Sequence, residues 1–226
     1  MNNRTIISLG GSLVVPNGID TEFLSTFVSL IKKEAENGKE FSIVVGGGKV
    51  ARDYRDALTA LGVSDNDILD WQGIYATRLN AELVRLAFGE TAEPEIFLEP
   101  AQASFKTKRI LIGGGWKPGH SSDGAAVGLA EALKAGTLIN LSNIDYVYTD
   151  DPRKNPEATP IEKISWAEFR KLLPTEWNPG VNAPFDPVAA QMAEKIGLTV
   201  VVMNGKNLNN LKAYLSGEQF IGTVIS

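Results

Sequence analysis

Arg52 stands four residues behind three consecutive glycines, Gly46, Gly47 and Gly48, which themselves close the apolar run 41–45. Glycine has no Cβ, so such a backbone can come close to an anion and turn its N–H groups towards it. A helix starting there adds unpaired amides and roughly half a positive charge at its first turn. An arginine inside that first turn can fork onto phosphate oxygens. The plainer alternative is a tight strand-to-helix turn carrying a solvated arginine. Two more glycine turns leave apolar runs in the same way: Gly10-Gly11-Ser12 after residues 5–9, and Gly113-Gly114-Gly115 after residues 110–112. Ligands of open α/β sheets bind outside the carboxyl ends of the strands, so three such exits point to one crevice. Two of them suit two phosphate groups, one on a donor and one on an acceptor. Neither G-x-x-x-x-G-K-S/T nor G-x-G-x-x-G is present, so no P-loop or Rossmann fingerprint is claimed.

The elements that must position these turns follow from periodicity. A strand over 5–9, a helix from Asp20 or Thr21 to about Asn37, and a strand over 41–45 arrive within 45 residues. That order predicts a parallel sheet with right-handed crossovers. Val50, Tyr54, Ala57, Leu58 and Leu61 are spaced for one apolar helix face. Ser64 is the expected N-cap of the next helix, which runs to Phe88 with an interruption at Gly73. Strands are expected at 96–98, 110–112, 137–141, 199–203 and 223–225. Helices are expected over 123–135 and 165–173, after Asp186-Pro187, and from Leu208. Asp186 at N-cap with Pro187 at N1 is a strong helix start. Residues 150–160 hold three prolines and several charges and read as a surface loop; 174–184 reads as irregular.

Composition narrows the classes. The 226 residues carry a formal charge of −5 with no basic block, which argues against a nucleic-acid partner. Cysteine is absent and His120 is the sole histidine, which excludes disulfides, thiol nucleophiles and multi-histidine metal sites. No metal site is expected from the protein's own side chains. No long apolar run follows the amino terminus, so neither a signal peptide nor a membrane span is expected, and a cytoplasmic location follows by default.

Six motifs in order resemble the amino acid kinase superfamily and, within it, the uridylate (UMP) kinases of archaeal-like type. They are G-G-S at Gly10, G-G-G-K-x-A-R at Gly46, Asp70 with G-I-x-x-T-R, P-G-H-S-S-D at Pro118, S-N-I-D-x-V-Y-T-x-D-P at Ser142, and F-D-P-x-A-A at Phe185. The resemblance covers nearly the whole chain and implies a single α/β domain over 1–226. That domain would be an αβα sandwich on a mainly parallel sheet, with acceptor bound by about 1–135 and ATP by about 136–226. It implies that Gly11, Ser12, Gly48 and Arg52 touch the transferring phosphates, and that Ser142, Asn143, Tyr148 and Asp151 complete the ATP site. UMP would meet Gly47 with its phosphate and Asp70 with its ribose. The loop Trp116, Lys117, Pro118, Gly119, His120, Ser121 and Ser122 would enclose it. Asp186 would organise the catalytic centre, magnesium would arrive with ATP, and the chains would assemble as homohexamers.

Each assignment has a plainer rival: Asp186 as a helix cap only, Tyr148 as a half-buried strand residue, Asp70 as a charge in its helix's first turns. His120 reads as a loop hydrogen-bonder, and Ser142 and Asn143 as the end of a strand. One departure matters. Many superfamily members carry lysine two residues before the first glycine pair, where this chain has Ser8. A cation near the transferred group is a large part of phosphoryl-transfer catalysis, and Lys117, Lys49 and, more weakly, Lys206 are candidates to supply it. The expected reaction is ATP plus UMP giving ADP plus UDP. The rivals are another superfamily kinase acting on a carboxylate, a carbamate or isopentenyl phosphate, and a nucleotide-binding regulator without turnover.

Overall fold

A computed structural model describes residues 4–173 and 183–226. The chain runs through β1 (Arg4–Leu9), α1 (Gly11–Val14), α2 (Thr21–Glu36), β2 (Glu40–Val45), α3 (Gly48–Ala60), α4 (Asn66–Phe88) and β3 (Ile110–Gly113). It continues through α5 (Ser122–Ala132), β4 (Thr137–Ser142), β5 (Val147–Tyr148), β6 (Pro160–Ile161), β7 (Lys163–Ile164) and α6 (Trp166–Phe169). The last elements are α7 (Pro187–Lys195), β8 (Thr199–Asn204), α8 (Leu208–Leu215) and β9 (Thr223–Ile225).

Seven strands form the central sheet in the order β3-β2-β1-β4-β8-β9-β7. The first five are parallel; β9 runs antiparallel to β8, and β7 parallel to β9. The strands read as near-continuous apolar runs because helices cover both faces. Alternate residues feed two cores. Ile6, Val44, Leu138 and Val200 pack with α5, α6 and α7 on one face. Ile7, Ile43, Ile139 and Val201 pack with α1, α2, α4 and α8 on the other. The architecture is therefore the expected αβα sandwich. Chain order reverses between β1 and β4, so the sheet's switch point lies at the carboxyl ends of its central strands.

Local chemistry sets the helix ends. The Asp20 carboxylate accepts from Phe23 N at 2.9 Å, and Leu24, Phe27, Val28 and Ile31 form the buried stripe of α2. Asp186 caps α7 by accepting from Ala189 N at 2.7 Å, with Pro187 at its first position.

Several expectations are corrected. The cap of α4 is Asp65, which accepts from the amides of Asp67 and Ile68; Ser64 lies one residue outside. Helix α4 passes through Gly73 without a break, and a Cβ there would meet nothing within 4 Å, so Gly73 faces open space. The supposed apolar face of α3 is mostly outside the core, with Tyr54 63% and Leu61 80% exposed. Residues 96–98 contribute only an isolated bridge, Phe97 to Gly113. Arg52 is the fifth residue of α3 and so lies in its second turn. Residues 11–14 close into a short helix directly behind Gly10, and the helix expected over 123–135 ends at Ala132. The irregular stretch read over 174–184 lies, up to residue 182, outside the described residues.

Candidate active site

Neighbouring strand exits are bonded to one another. Gly46 N donates to Leu9 O at 2.9 Å, Gly10 N to Leu141 O at 2.9 Å, and Gly205 N to Ser142 O at 2.8 Å. The ends of β2, β1, β4 and β8 thus form one continuous rim. Glycine is needed at two points on it. A Cβ on Gly11 would overlap the Gly48 amide nitrogen, and Gly48 itself has a φ of 59°.

On the amino-terminal side, where the acceptor is expected, α3 starts at Gly48, and Arg52 is exposed with no hydrogen-bond or ion-pair partner among the described residues. Lys49 reaches along the same helix to both carboxylate oxygens of Asp53 at 2.6 Å. Asp70, in the second turn of α4, accepts from Gly119 N at 2.8 Å, which fastens the 116–122 loop to the helix. In that loop the Trp116 and His120 rings meet edge-on at 4.8 Å, and Lys117 Nζ lies 4.2 Å above the Trp116 ring. Ser121 caps α5 by accepting from Gly124 N, and Ser122 opens that helix. Asp70 and the whole expected acceptor loop therefore meet in one place.

Beneath the loop lies a pair of carboxylates. Asp123 Oδ1 accepts from Ser8 Oγ at 2.8 Å and Asn140 Nδ2 at 3.2 Å, and its Oδ2 from Asp186 N at 3.3 Å. Burial pushes the Asp123 carboxyl up to about 6 despite the Ser8 hydrogen bond, and the nearby Asp186 charge pushes the same way. Asp186 is also raised by burial, while hydrogen bonds from Ala189, Ser121 and Val188 and the proximity of His120 hold it down. Ser8 is thus the hydroxyl that orients a buried carboxylate. No lysine or arginine is bonded to either aspartate among the described residues.

On the carboxyl-terminal side, where ATP is expected, Ser142, Asn143, Tyr148 and Asp151 line one cleft of about 820 Å³, together with Tyr146 and Lys171. Tyr146 and Tyr148 meet edge-on at 6.5 Å. Thr223, fully buried in β9, anchors the β5–β6 hairpin by accepting from Val147 N and donating to Ile161 O. Gly11, Ser12 and Gly48 sit on the rim between the two sides. Lys206 follows Gly205 on the same rim, and its ammonium has no partner among the described residues.

Four residues received no role in the sequence reading, although Asp123 stood in P-G-H-S-S-D and Thr77 and Arg78 in G-I-x-x-T-R. Thr77 and Asn80 are buried polar side chains in an α4 stripe otherwise built from Ile74, Ala81 and Val84, and polar residues in an apolar stripe are the signal that could have found them. Arg78 donates to the carbonyls of Gly115 and Trp116 at 3.3 and 3.1 Å.

Comparison with known proteins agrees with this geometry. The model of the amino acid kinase family matches residues 3–204. The uridylate kinase of Pyrococcus abyssi is 35% identical over 218 residues, covering 95% of this chain and 96% of that protein. The uridylate kinase of Thermoplasma volcanium is 35% identical over 227 residues, covering 100% and 98%. The crystal structure of uridylate kinase from Archaeoglobus fulgidus superposes with a TM-score of 0.83 at 32% identity, covering 98% of this chain and 99% of that one. A full-length match in sequence and a sheet of the same kind leave one conclusion: the chain belongs to the amino acid kinase family.

Proposed function

We propose that this protein is a uridylate kinase, transferring the γ-phosphoryl group of ATP to UMP. The observation that carries the acceptor's identity is the meeting of Asp70 with the 116–122 loop on the helix whose Thr77 and Asn80 hold the backbones of Gly115 and of Gly46 and Gly47. A carboxylate that can accept sugar hydroxyls, next to a phosphate turn, suits a nucleoside monophosphate; a carboxylate or carbamate acceptor has no use for it. The relatives named uridylate kinase over the full length support the same reading.

In this mechanism UMP lies in the amino-terminal part, about 1–135, and ATP in the carboxyl-terminal part, about 136–226. Gly47 and Arg52 bind the UMP phosphate, Asp70 the ribose, and residues 116–122 close over the nucleotide. Tyr148 offers an aromatic face to adenine, while Ser142, Asn143 and Asp151 complete the ATP cleft. Gly11, Ser12 and Gly48 give the transferring phosphates backbone room. The attacking oxygen already belongs to a phosphate, so little proton removal is needed and positioning with charge neutralisation does most of the catalysis. Magnesium comes with ATP, and the adjacent Asp123 and Asp186 carboxylates, bonded to no cationic side chain, suit an ion that takes one or two carboxylates beside phosphates.

The charge missing at Ser8 falls to Lys117, with Lys49 as its rival. Lys117 is exposed over Trp116 at the mouth of the acceptor loop, whereas Lys49 is held by Asp53. Lys117→Met should cut turnover about 10²-fold with ATP binding much less affected. Turnover close to wild type in that variant, beside a severe loss in Lys49→Met, assigns the role to Lys49.

The chains assemble as homo-oligomers, hexamers by family resemblance. Support comes from the apolar surface that α3 and α4 leave uncovered, with Tyr75 64%, Leu79 65% and Leu86 61% exposed. The protein works in the cytoplasm; among the described residues no helix is long and apolar enough to cross a membrane.

An assay across UMP, CMP, dUMP, AMP, glutamate, aspartate and isopentenyl phosphate tests the function, with UMP expected as the preferred acceptor. A second reading, a nucleotide-binding regulator, draws on the lysine-free Ser8–Asp123 pair. It predicts ATP and UMP binding by calorimetry with no UDP formed.

A further inference from the structure

Asn80 sits in the middle of α4, only 3% exposed. Its Nδ2 donates to Gly46 O at 2.9 Å and to Gly47 O at 3.0 Å. A trans peptide is planar, with its C=O and N–H pointing in opposite directions. The Gly46 carbonyl shares a peptide with the Gly47 amide, and the Gly47 carbonyl shares one with the Gly48 amide. Holding both carbonyls on Asn80 therefore turns both amides away from α4, towards the side where the Gly48 nitrogen lies against Gly11. Neither amide has an acceptor among the described residues.

One turn earlier on the same helix, Thr77 Oγ1 accepts from Gly115 N at 2.6 Å while donating to Ile74 O at 2.6 Å. A Cβ on Gly114 or Gly115 would come within 3.0 Å of that hydroxyl, so the acceptor loop leaves β3 pressed against α4. Thr77 and Asn80 are three residues apart and share a face. One rigid helical turn thus grips the backbone of both glycine exits that serve the acceptor.

We propose that Asn80 is a positioning residue for phosphoryl transfer: it aims the Gly47 and Gly48 amides at the phosphates, in a register fixed to the acceptor loop through Thr77. The inference rests on the uridylate kinase reading. A side chain that touches no substrate still acts here through the backbone donors it orients: Ala51 N also holds the Gly47 carbonyl, at 3.3 Å, while the Gly46 carbonyl is held by Asn80 with no other partner among the described residues. Misplacing a reacting group by about 1 Å costs about 10²-fold in rate.

Asn80→Asp keeps the shape and removes the donors, leaving a carboxylate that faces two carbonyls. At pH 8 its kcat with UMP should fall about 10- to 100-fold, with the KM for ATP within about threefold of wild type. A carboxyl in that setting has a raised pKa, and once protonated it regains one donor. The ratio of variant to wild-type kcat should therefore climb as pH drops from 8 to 6, which a purely structural defect would not produce. A kcat within twofold of wild type at pH 8, or a ratio flat with pH, overturns the proposal. If the variant does not fold, amide exchange in the wild type decides the matter. Gly47 and Gly48 should be slowed by UMP with a non-hydrolysable ATP analogue, and unchanged exchange at both rejects the role. Wild-type protein that makes no UDP from UMP would instead remove the kinase reading on which this rests.

Discussion

On the amino-terminal side of the crevice, proposed above to take the acceptor, long-range bonds between buried side chains and backbone hold the geometry. Asn80 grips Gly46 and Gly47 across more than thirty residues of sequence, and Thr77 grips Gly115 across a similar span. On the carboxyl-terminal side, proposed to take ATP, most bonds in the 150–159 loop are exposed and local. Asp151 accepts from Arg153, Asp150 from Asn155, and Glu157 N donates to Asn155. The buried anchor there is Thr223, under the hairpin rather than in the loop. The amino-terminal half is held to fixed dimensions by its own buried side chains, while the carboxyl-terminal half keeps its own polar groups satisfied on an open surface. Substitutions on the first side should therefore change turnover and acceptor choice, and those on the second mainly the demand for ATP.

The largest effect is expected at the floor the two sides share. Asp123→Asn should lower kcat about 10²- to 10³-fold, the range for a lost electrostatic stabiliser, in steady-state assays with either substrate saturating. The wild-type acid limb of kcat/KM, which reports the free enzyme, should lie near pH 6, where Asp123 takes up its proton. Ser8→Ala removes a hydrogen bond that holds this pKa down, so the limb should move to higher pH. The stability sign also follows. The folded carboxyl binds its proton more tightly than the unfolded one, so this group's contribution falls as pH rises from the unfolded value to about 6 and is level above. Asp123→Asn should flatten that slope in denaturant titrations. An acid limb unmoved in Ser8→Ala would separate the serine from the carboxylate.

A smaller effect sharpens the acceptor side. Wild-type enzyme should prefer UMP over dUMP, and Asp70→Ala should shrink that preference about tenfold, since one hydroxyl then loses its acceptor. Equal use of UMP and dUMP by the wild type would contradict the ribose role. The smallest tests the nucleotide side. Tyr148→Ala should raise the KM for ATP about fivefold, the lower end of what one aromatic–base stack contributes, and leave the UMP:dUMP ratio alone. A change in acceptor choice in Tyr148→Ala would break the division between the halves.

What the sequence disclosed follows the same division. The strands and their glycine exits were legible because fully buried parallel strands are unbroken apolar runs and glycine turns punctuate them. Asp186-Pro187 was legible as a cap because capping is local chemistry. Tyr54 and Leu61 misled because periodicity reports an apolar face without saying what covers it; here the described chain does not cover it. Residues 96–98 have strand composition but pair at a single bridge. Asn80 was silent, and Thr77 and Asp123 stood in quoted motifs without a role, because each acts on a partner more than thirty residues away, and no spacing rule along the chain encodes such contacts.

The reversal of chain order at the sheet's centre bears on how the protein is made. Strand β1 leaves the ribosome before the other strands of the sheet, yet one of its two neighbours is β4, more than 130 residues later; Ile6 pairs with Leu138 and Leu9 with Leu141. Until β4 appears, β1 has an open edge and an apolar strand with no partner on that side. The crevice needs still more, since Asp186 and the end of β8 come later again. Such non-local closure is slow and exposes sticky edges while it waits. Truncated nascent chains ending before residue 137 should therefore depend on chaperones, and activity should emerge only once β8 has been made.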